Sequence, residues 1–362
     1  MPALREVDCD GPGITRRRAG KGFSYRDEDG RRIDDPELLD RIKALVIPPA
    51  WTDVWICPDP RGHIQATGTD VKGRRQYRYH DKWRARRDRE KHERMLELAR
   101  ALPRLRERLA RDLAAEGMGR ERVLACAVRL LELGLFRVGS EVYVEDGSFG
   151  LATVRKGHVR AVGDELHFDY PAKSGKRRIV TIGDPEVAEI VRALKRRRGG
   201  GPELLAYKGE RGRWVDVRSS DINEYLQEAL GPDFSAKDFR TWAATVLAAV
   251  ALAAEEAEAN GTGDAEPSEA QRRRAVVRVV RGVAEQLGNT PAVARGSYVD
   301  PRVIERFEEG ETVGEALDAD LADVDVLDDE TAALDGIAPE VLAEIEAAVV
   351  ALIERGDRRR KR

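Results

Sequence analysis

The stretch "LGNTPAVARGSYVDP", residues 287–301, combines helix-stop and helix-start signals with a single phenol. Gly288 suits the left-handed residue that ends one helix, Thr290 suits the cap of the next, and Pro291 suits its first turn. The spacing predicts a short helix with Tyr298 about two turns along it. A tyrosine so placed is ordinarily a half-buried packing residue. Any other role depends on what the rest of the chain brings to it.

The net charge of −3 hides a strong asymmetry. Residues 311–362 carry −9, which leaves +6 on residues 1–310, and residues 61–120 alone carry +9. That basic region contains "VKGRRQYRYHDKWRARRDR", in which aromatic rings alternate with arginines. Charge that displaces counterions, with rings that stack or wedge, is what a phosphate-backbone binder needs; an Arg-rich solvated helix is the plainer reading. The 362 residues allow two or three domains. No apolar run approaches the ~18 residues of a membrane span, and "MPALREVDCD" lacks a signal-peptide core. Cys9, Cys57 and Cys126 form neither a CxxC pair nor a disulfide framework. A reducing cytoplasm is therefore the expected location.

The hydrophobic period divides the chain. Residues 1–18 are expected to be disordered. From 19 to 80 short strand-like pieces surround a helix that starts at Asp35-Pro36, a pattern of hairpins with Gly30 and Gly62 at turns. From 81 to 310 helical spacing dominates, with Met95, Leu98, Leu102, Leu105, Leu109 and Leu113 on one face and an interruption at Pro103. Three strand-like pieces, "GLATVRKGHVRAV", "ELHFDYPAK" and "KRRIVTIG", interrupt the helices. Helices are expected at 185–198, 219–230, 237–258 and 269–287. Residues 311–362 read as an acidic linker, one amphipathic helix at about 338–354 and a basic tail, dispensable for the main activity. The fold class is α+β, a small β-rich N-terminal domain followed by a larger, mainly helical domain with a three-stranded antiparallel sheet.

Several chemistries lack their residues. There is no P-loop, no G-x-G-x-x-G after a strand and no calcium loop in the acidic run. The five histidines have no metal-ligand spacing, and none follows residue 167. Neither a metal nor another cofactor is expected. Cations in unusual settings remain. Arg137 follows a helix in "LGLFRVGSEVY", Lys173 occupies a hairpin tip in "FDYPAKSGKRR", and Arg240 begins a long apolar helix in "SAKDFRTWAAT". Each has an ordinary reading taken alone, as a snorkelling arginine, a turn lysine or an arginine near a cap. Taken with Tyr298 they form a complete set for cleaving a phosphodiester without metal or histidine. Two guanidiniums would neutralise the nonbridging oxygens, a phenol would attack, and a lysine would protonate the leaving oxygen.

Five ordered pieces, "GRRQYRYH" (73–80), "FRVGSEVY" (136–143), "AKSGK" (172–176), "KDFRTWAAT" (237–245) and residues 287–301, resemble the type IB DNA topoisomerases of the bacterial, poxvirus-like branch. The resemblance spans roughly residues 20–310. It implies the tyrosine recombinase/type IB topoisomerase catalytic fold. Arg137 and Arg240 would clamp the scissile phosphate, Lys173 would be the general acid, and Tyr298 would form a 3′-phosphotyrosyl link. Asn289 stands where the better-known members have histidine and would donate to the phosphate; Lys237 would assist proton transfer. Arg74, Gln76, Tyr77, Tyr79, Gly139 and Tyr143 would contact DNA. The implied activity is relaxation of positive and negative supercoils without ATP or metal, by a monomer clamped on duplex DNA in the nucleoid. The open alternative is a tyrosine site-specific recombinase, against which stand "KDFRTW" in place of H-x-x-R and the β-rich N-terminal module.

Overall fold

The computed structural model describes residues 3–261, 267–314 and 337–360. The acidic run 318–330, expected as linker, lies outside the described residues. The chain divides into two compact units, Met1–His92 and Glu93–Arg362.

The first unit is a five-stranded antiparallel sheet in the order β2-β1-β3-β4-β5, built from β1 (Ile14–Ala19), β2 (Gly22–Arg26), β3 (Thr52–Ile56), β4 (Ile64–Thr69) and β5 (Arg75–Tyr79). Helix α1 (Pro36–Ala44) starts where Asp35 accepts the Glu37 N–H and Pro36 occupies the first turn. Ile42 of this helix joins Ile14, Ile33, Val54, Ile56 and Ala66 in the unit's core. Residues 14–18, expected to be disordered, form most of β1 and pair with both β2 and β3. The charged run "RRR" concealed this strand. Ile14 is buried, and the Arg16 guanidinium donates to the carbonyls of Pro48 (3.1 Å) and Trp51 (2.6 Å).

Helix α2 (Asp81–Leu113) runs through Pro103 without ending. Leu98, Leu102, Leu105 and Leu109, all buried, hold it along its length. The boundary between the units falls inside this helix instead of at residue 80. Trp83 packs edge-on against His63, so the helix's first turns belong with the sheet.

The second unit is mainly helical. Helix α3 (Arg120–Gly134) is apolar nearly all round and lies inside, as does most of α6 (Ala236–Gly261), whose run from Trp242 to Ala253 is buried throughout. The predicted sheet consists of β6 (Val159–Val162), β7 (Glu165–Pro171) and β8 (Arg177–Ile182), antiparallel in that order. Helix α4 (Pro185–Arg196) follows, then a hairpin of two three-residue strands, β9 (Ala206–Lys208) and β10 (Trp214–Asp216), too short to register in the sequence. Helices α5 (Ser219–Leu230), α7 (Glu269–Leu287), α8 (Pro291–Ser297) and α9 (Pro301–Glu308) complete this part of the chain.

Helix α10 (Pro339–Arg360) is not an appendage. Leu342, Ile345, Val349, Leu352 and Ile353 are buried in the same core as α3 and α6. Glu346, 7% exposed, takes both Arg106 nitrogens at 2.7 and 3.0 Å and the indole N–H of Trp242 at 3.0 Å. Arg106 in turn donates to buried Glu132 of α3 at 2.7 Å. The structure weighs against the expectation that residues 311–362 are dispensable, because removing helix α10 would uncover the core, take one of two carboxylates from Arg106 and leave the Trp242 indole N–H unpartnered. Glu346→Leu is expected to destabilise the second unit by about 3 kcal/mol, since one partner of a buried ion pair is removed. Chemical denaturation of the variant beside the parent checks it, and an unchanged midpoint contradicts it.

Candidate active site

The end of α7 organises the site. Ser268 caps its start through a capping box with Gln271, and Gly288 ends it at φ +61°, the left-handed position anticipated for it. The last carbonyls of a helix lack internal partners. Here four consecutive carbonyls, the last two of α7 and the next two past it, each receive a different cationic side chain. Gln286 O accepts from Arg178, Leu287 O from Arg240 (2.7 Å), Gly288 O from Arg137 (3.4 Å) and Asn289 O from Lys176 (3.4 Å). Two of these arginines also reach the end of α3. Arg178 donates to Gly134 O (2.8 Å) and Arg240 to Leu135 O.

Among the described residues no carboxylate lies within ion-pair distance of Arg137, Arg178 or Arg240. Arg240 is only 3% exposed, and its Nε has no hydrogen-bond partner. Burial lowers the Arg240 pKa, and the neighbouring charge of Arg137 adds to the effect. Burial does the same to Arg178. Such cations ordinarily sit beside an anion. A cavity of about 120 Å³ beside them is lined by Arg137, Lys176, Arg178, Gln286 and Gly288.

Tyr298 lies one residue past α8, closing it with an N–H bond to Ala294 O at 3.0 Å. It is half-buried, with the Arg240 guanidinium carbon 5.6 Å from its ring centre. Burial by itself would raise the phenol's pKa. The charge of Arg240, with Arg137 and Lys237 adding, outweighs burial and holds it below the ordinary value. Thr245 of α6 fixes this segment from behind. Its buried hydroxyl accepts the Asp300 N–H at 3.1 Å and lies 3.3 Å from the Tyr298 carbonyl oxygen.

The expected residues thus divide. Arg137, Arg240, Asn289 and Tyr298 come together, and Lys237, exposed on the first turn of α6, is close enough to act on the phenol. Asn289 offers its Oδ1 to Arg137 at 2.6 Å, which leaves its buried Nδ2 without a partner. Lys173 is exposed in the turn between β7 and β8 and is not among the residues that touch the cluster; Lys176, from the same turn, is. Gly139 has a packing reason of its own. At φ +85° its Cβ would stand 2.8 Å from Gly150 Cα, where the two backbones cross. That crossing holds the Arg137 backbone, whose carbonyl accepts from Leu151 N at 2.9 Å. Tyr143 is exposed in the loop after it. Sequence reasoning missed Arg178, Lys176 and Thr245. Lys176 closes the "AKSGK" motif, Arg178 lies two residues past it, and Thr245 closes "KDFRTWAAT".

In the first unit, strand alternation separates the other expected residues. Tyr77 and Tyr79 share the exposed face of β5, stacked with centroids 6.0 Å apart, and Arg75 lies over Tyr77. Gln76 points to the opposite face, where it donates to Asp70 at 3.0 Å. Arg74 is bound to Asp70 as well (2.7 Å), and this hydrogen bonding pulls the Asp70 carboxyl down to about 2. Arg75 is the exposed cation beside the tyrosines that the sequence reading omitted.

Comparison with known proteins agrees with this geometry. Residues 80–316 match the family described as eukaryotic DNA topoisomerase I, catalytic core, and residues 22–70 match the bacterial DNA topoisomerase IB N-terminal domain. The chain belongs to the type IB DNA topoisomerases. It is similar to the DNA topoisomerase 1B of Acanthamoeba polyphaga mimivirus, 31% identical over 300 residues, which cover 82% of this chain and 88% of the relative. The N-terminal match is to a topoisomerase domain too, which removes the recombinase alternative for the enzyme.

Because Arg240 is the main cation acting on Tyr298, Arg240→Met is expected to raise the phenol's pKa toward or above about 10. The phenolate absorbance present in the parent and absent in Tyr298→Phe is the readout. A titration unmoved by Arg240→Met would separate the two groups.

Proposed function

We propose that the enzyme relaxes positive and negative supercoils in duplex DNA by transient cleavage of one strand through Tyr298. The observation that carries this reading is the pair of arginines, Arg137 and Arg240, that have no carboxylate partner and whose charge lowers the pKa of the Tyr298 phenol. Arg137 and Arg240 hold the nonbridging oxygens of the scissile phosphate and neutralise the charge that builds during attack. The partnerless Nδ2 of Asn289 donates a third hydrogen bond to the same phosphate. Tyr298 loses its proton to water and attacks phosphorus; a 3′-phosphotyrosyl bond forms as the bond to the 5′ oxygen breaks. Lys173 gives that oxygen its proton, with Lys237 assisting, when bound DNA draws the β7–β8 turn inward.

The free end then rotates, and the 5′ hydroxyl reverses the attack. The bond energy stays in the phosphotyrosyl link, so ATP has no step to drive. The guanidiniums supply the charge that a divalent ion would otherwise bring. The enzyme acts as a monomer in the cytoplasm, closed as a clamp on nucleoid DNA, with Arg75, Tyr77 and Tyr79 meeting the duplex. Gln76 and Arg74, already held by Asp70, exchange that carboxylate for DNA or support the turn.

Incubating the enzyme with supercoiled plasmid in EDTA without ATP, then stopping with detergent, tests the reading. Relaxed circles and a protein-linked 3′ end are expected, with neither from Tyr298→Phe. A Tyr298→Phe protein that still relaxes plasmid refutes it. Replacing both Tyr77 and Tyr79 by alanine is expected to weaken duplex binding by about 1 kcal/mol or more, from lost ring contacts. Equilibrium binding at fixed salt measures this, and parental affinity would remove the pair from the interface.

A further inference from the structure

We propose that Arg178 is the positioning residue that sets the separation of Arg137 and Asn289, and so the geometry in which the phosphate is held. This rests on the proposed cleavage by Tyr298. Arg178 lies at the second position of β8, paired across the sheet with Tyr170, and its guanidinium is the only group among the described residues that bonds both Gly134 O and Gln286 O. These two carbonyls stand in equivalent places. Gly134 precedes Arg137 by three residues, and Gln286 precedes Asn289 by three. One rigid, planar fork therefore ties together the two chain ends that present the phosphate-facing groups. Arg240 makes the parallel tie one residue further along each chain, at Leu135 O and Leu287 O. Both arginines have their two Nη groups on carbonyls, but Arg240 also lies against the Tyr298 ring and keeps a buried Nε without a partner, a donor left for the phosphate. Arg178 is a strut that keeps its form while the others engage substrate.

The strut also meets the lysine turn. Two residues before Arg178, Lys176 bonds Asn289 O, so the same short segment holds the chain at both ends of the stretch from Gln286 to Asn289. Arg178 is not among the groups that act on the Tyr298 phenol, and both its Nη groups are held by the two carbonyls. Its loss is expected to spare binding and slow the chemical step, because a misplacement on the order of 1 Å costs roughly 100-fold.

The test uses the full chain and a duplex saturating the enzyme, and measures single-turnover formation of the covalent adduct for the parent, Arg178→Met and Arg178→Lys. Binding is measured separately for each variant in the Tyr298→Phe background. Arg178→Met is expected to bind within about twofold of the parent and to cleave roughly 100-fold more slowly. Arg178→Lys, which reaches only one carbonyl at a time, is expected to be about tenfold slow. A duplex with a neutral methylphosphonate at the scissile position should narrow both deficits, because the misplaced guanidinium then has less charge to neutralise. Parental cleavage rates in either variant overturn the proposal. So does a loss of binding as large as the loss of rate, which would make Arg178 a plain DNA contact. Should Arg178→Met fail to fold, Arg178→Lys decides by the same criteria. An adduct on the parent with undiminished variant rates removes Arg178 alone; no adduct on the parent removes the Tyr298 reading and this one with it.

Discussion

Everything at the site depends on the convergence of two helix C-termini. The ends of α3 and α7 present carbonyls that their own helices cannot use, at residues 134–135 and 286–289. Guanidiniums drawn from β8, from the first turn of α6 and from the segment after α3 fill these positions. Backbone dipoles thus do the work that carboxylates do in an ordinary buried ion pair. The difference matters, because a carboxylate would compete with a phosphate for the same nitrogens, whereas a carbonyl holds only part of each fork.

A rough charge balance follows. Each helix end counts for about half a negative charge, so the two together offset about one of the three guanidiniums. About two positive charges remain uncompensated in a partly dry site. A phosphodiester under attack by a phenolate carries about two negative charges, one from each partner. In the proposed reaction the arrangement is balanced for the transition state and over-positive for everything before it. The same surplus lowers the Tyr298 pKa against the opposing pull of burial. The cost of holding it falls on the fold, and the buried chain Glu132–Arg106–Glu346–Trp242 braces α6 two residues beyond Arg240.

Much of this was legible in the sequence where local rules apply. Helices 219–230 and 269–287 were read with the bounds they have, because a following glycine, and for the second a capping box as well, marks each end. Tyr298, Arg137 and Arg240 were read from their motifs, and they meet. The omissions follow from tertiary structure. Arg178 looks like one more arginine in a basic strand, since nothing local says that two distant carbonyls await it. Glu346 is a single acid on an amphipathic helix, and only packing reveals that α10 is core. The placement of Gln76 was within reach of sequence logic. A period of two puts it opposite Tyr77 and Tyr79, as the structure does.

Asn289 shows how the cluster selects its last member. A histidine at this position would stand against Arg137 and beside Lys176, and those charges would disfavour its protonated form. It would work as a neutral donor, which is what an amide already is. The orientation of the amide is decided as well. Arg137 has no acceptor to offer, so only Oδ1 can face it, and Nδ2 must turn away from the guanidinium. One arginine both contributes charge and aims its neighbour's donor. The exchange of imidazole for amide therefore removes a titrating group from the site while keeping the hydrogen bond, and it is the surrounding surplus of positive charge that makes the exchange tolerable.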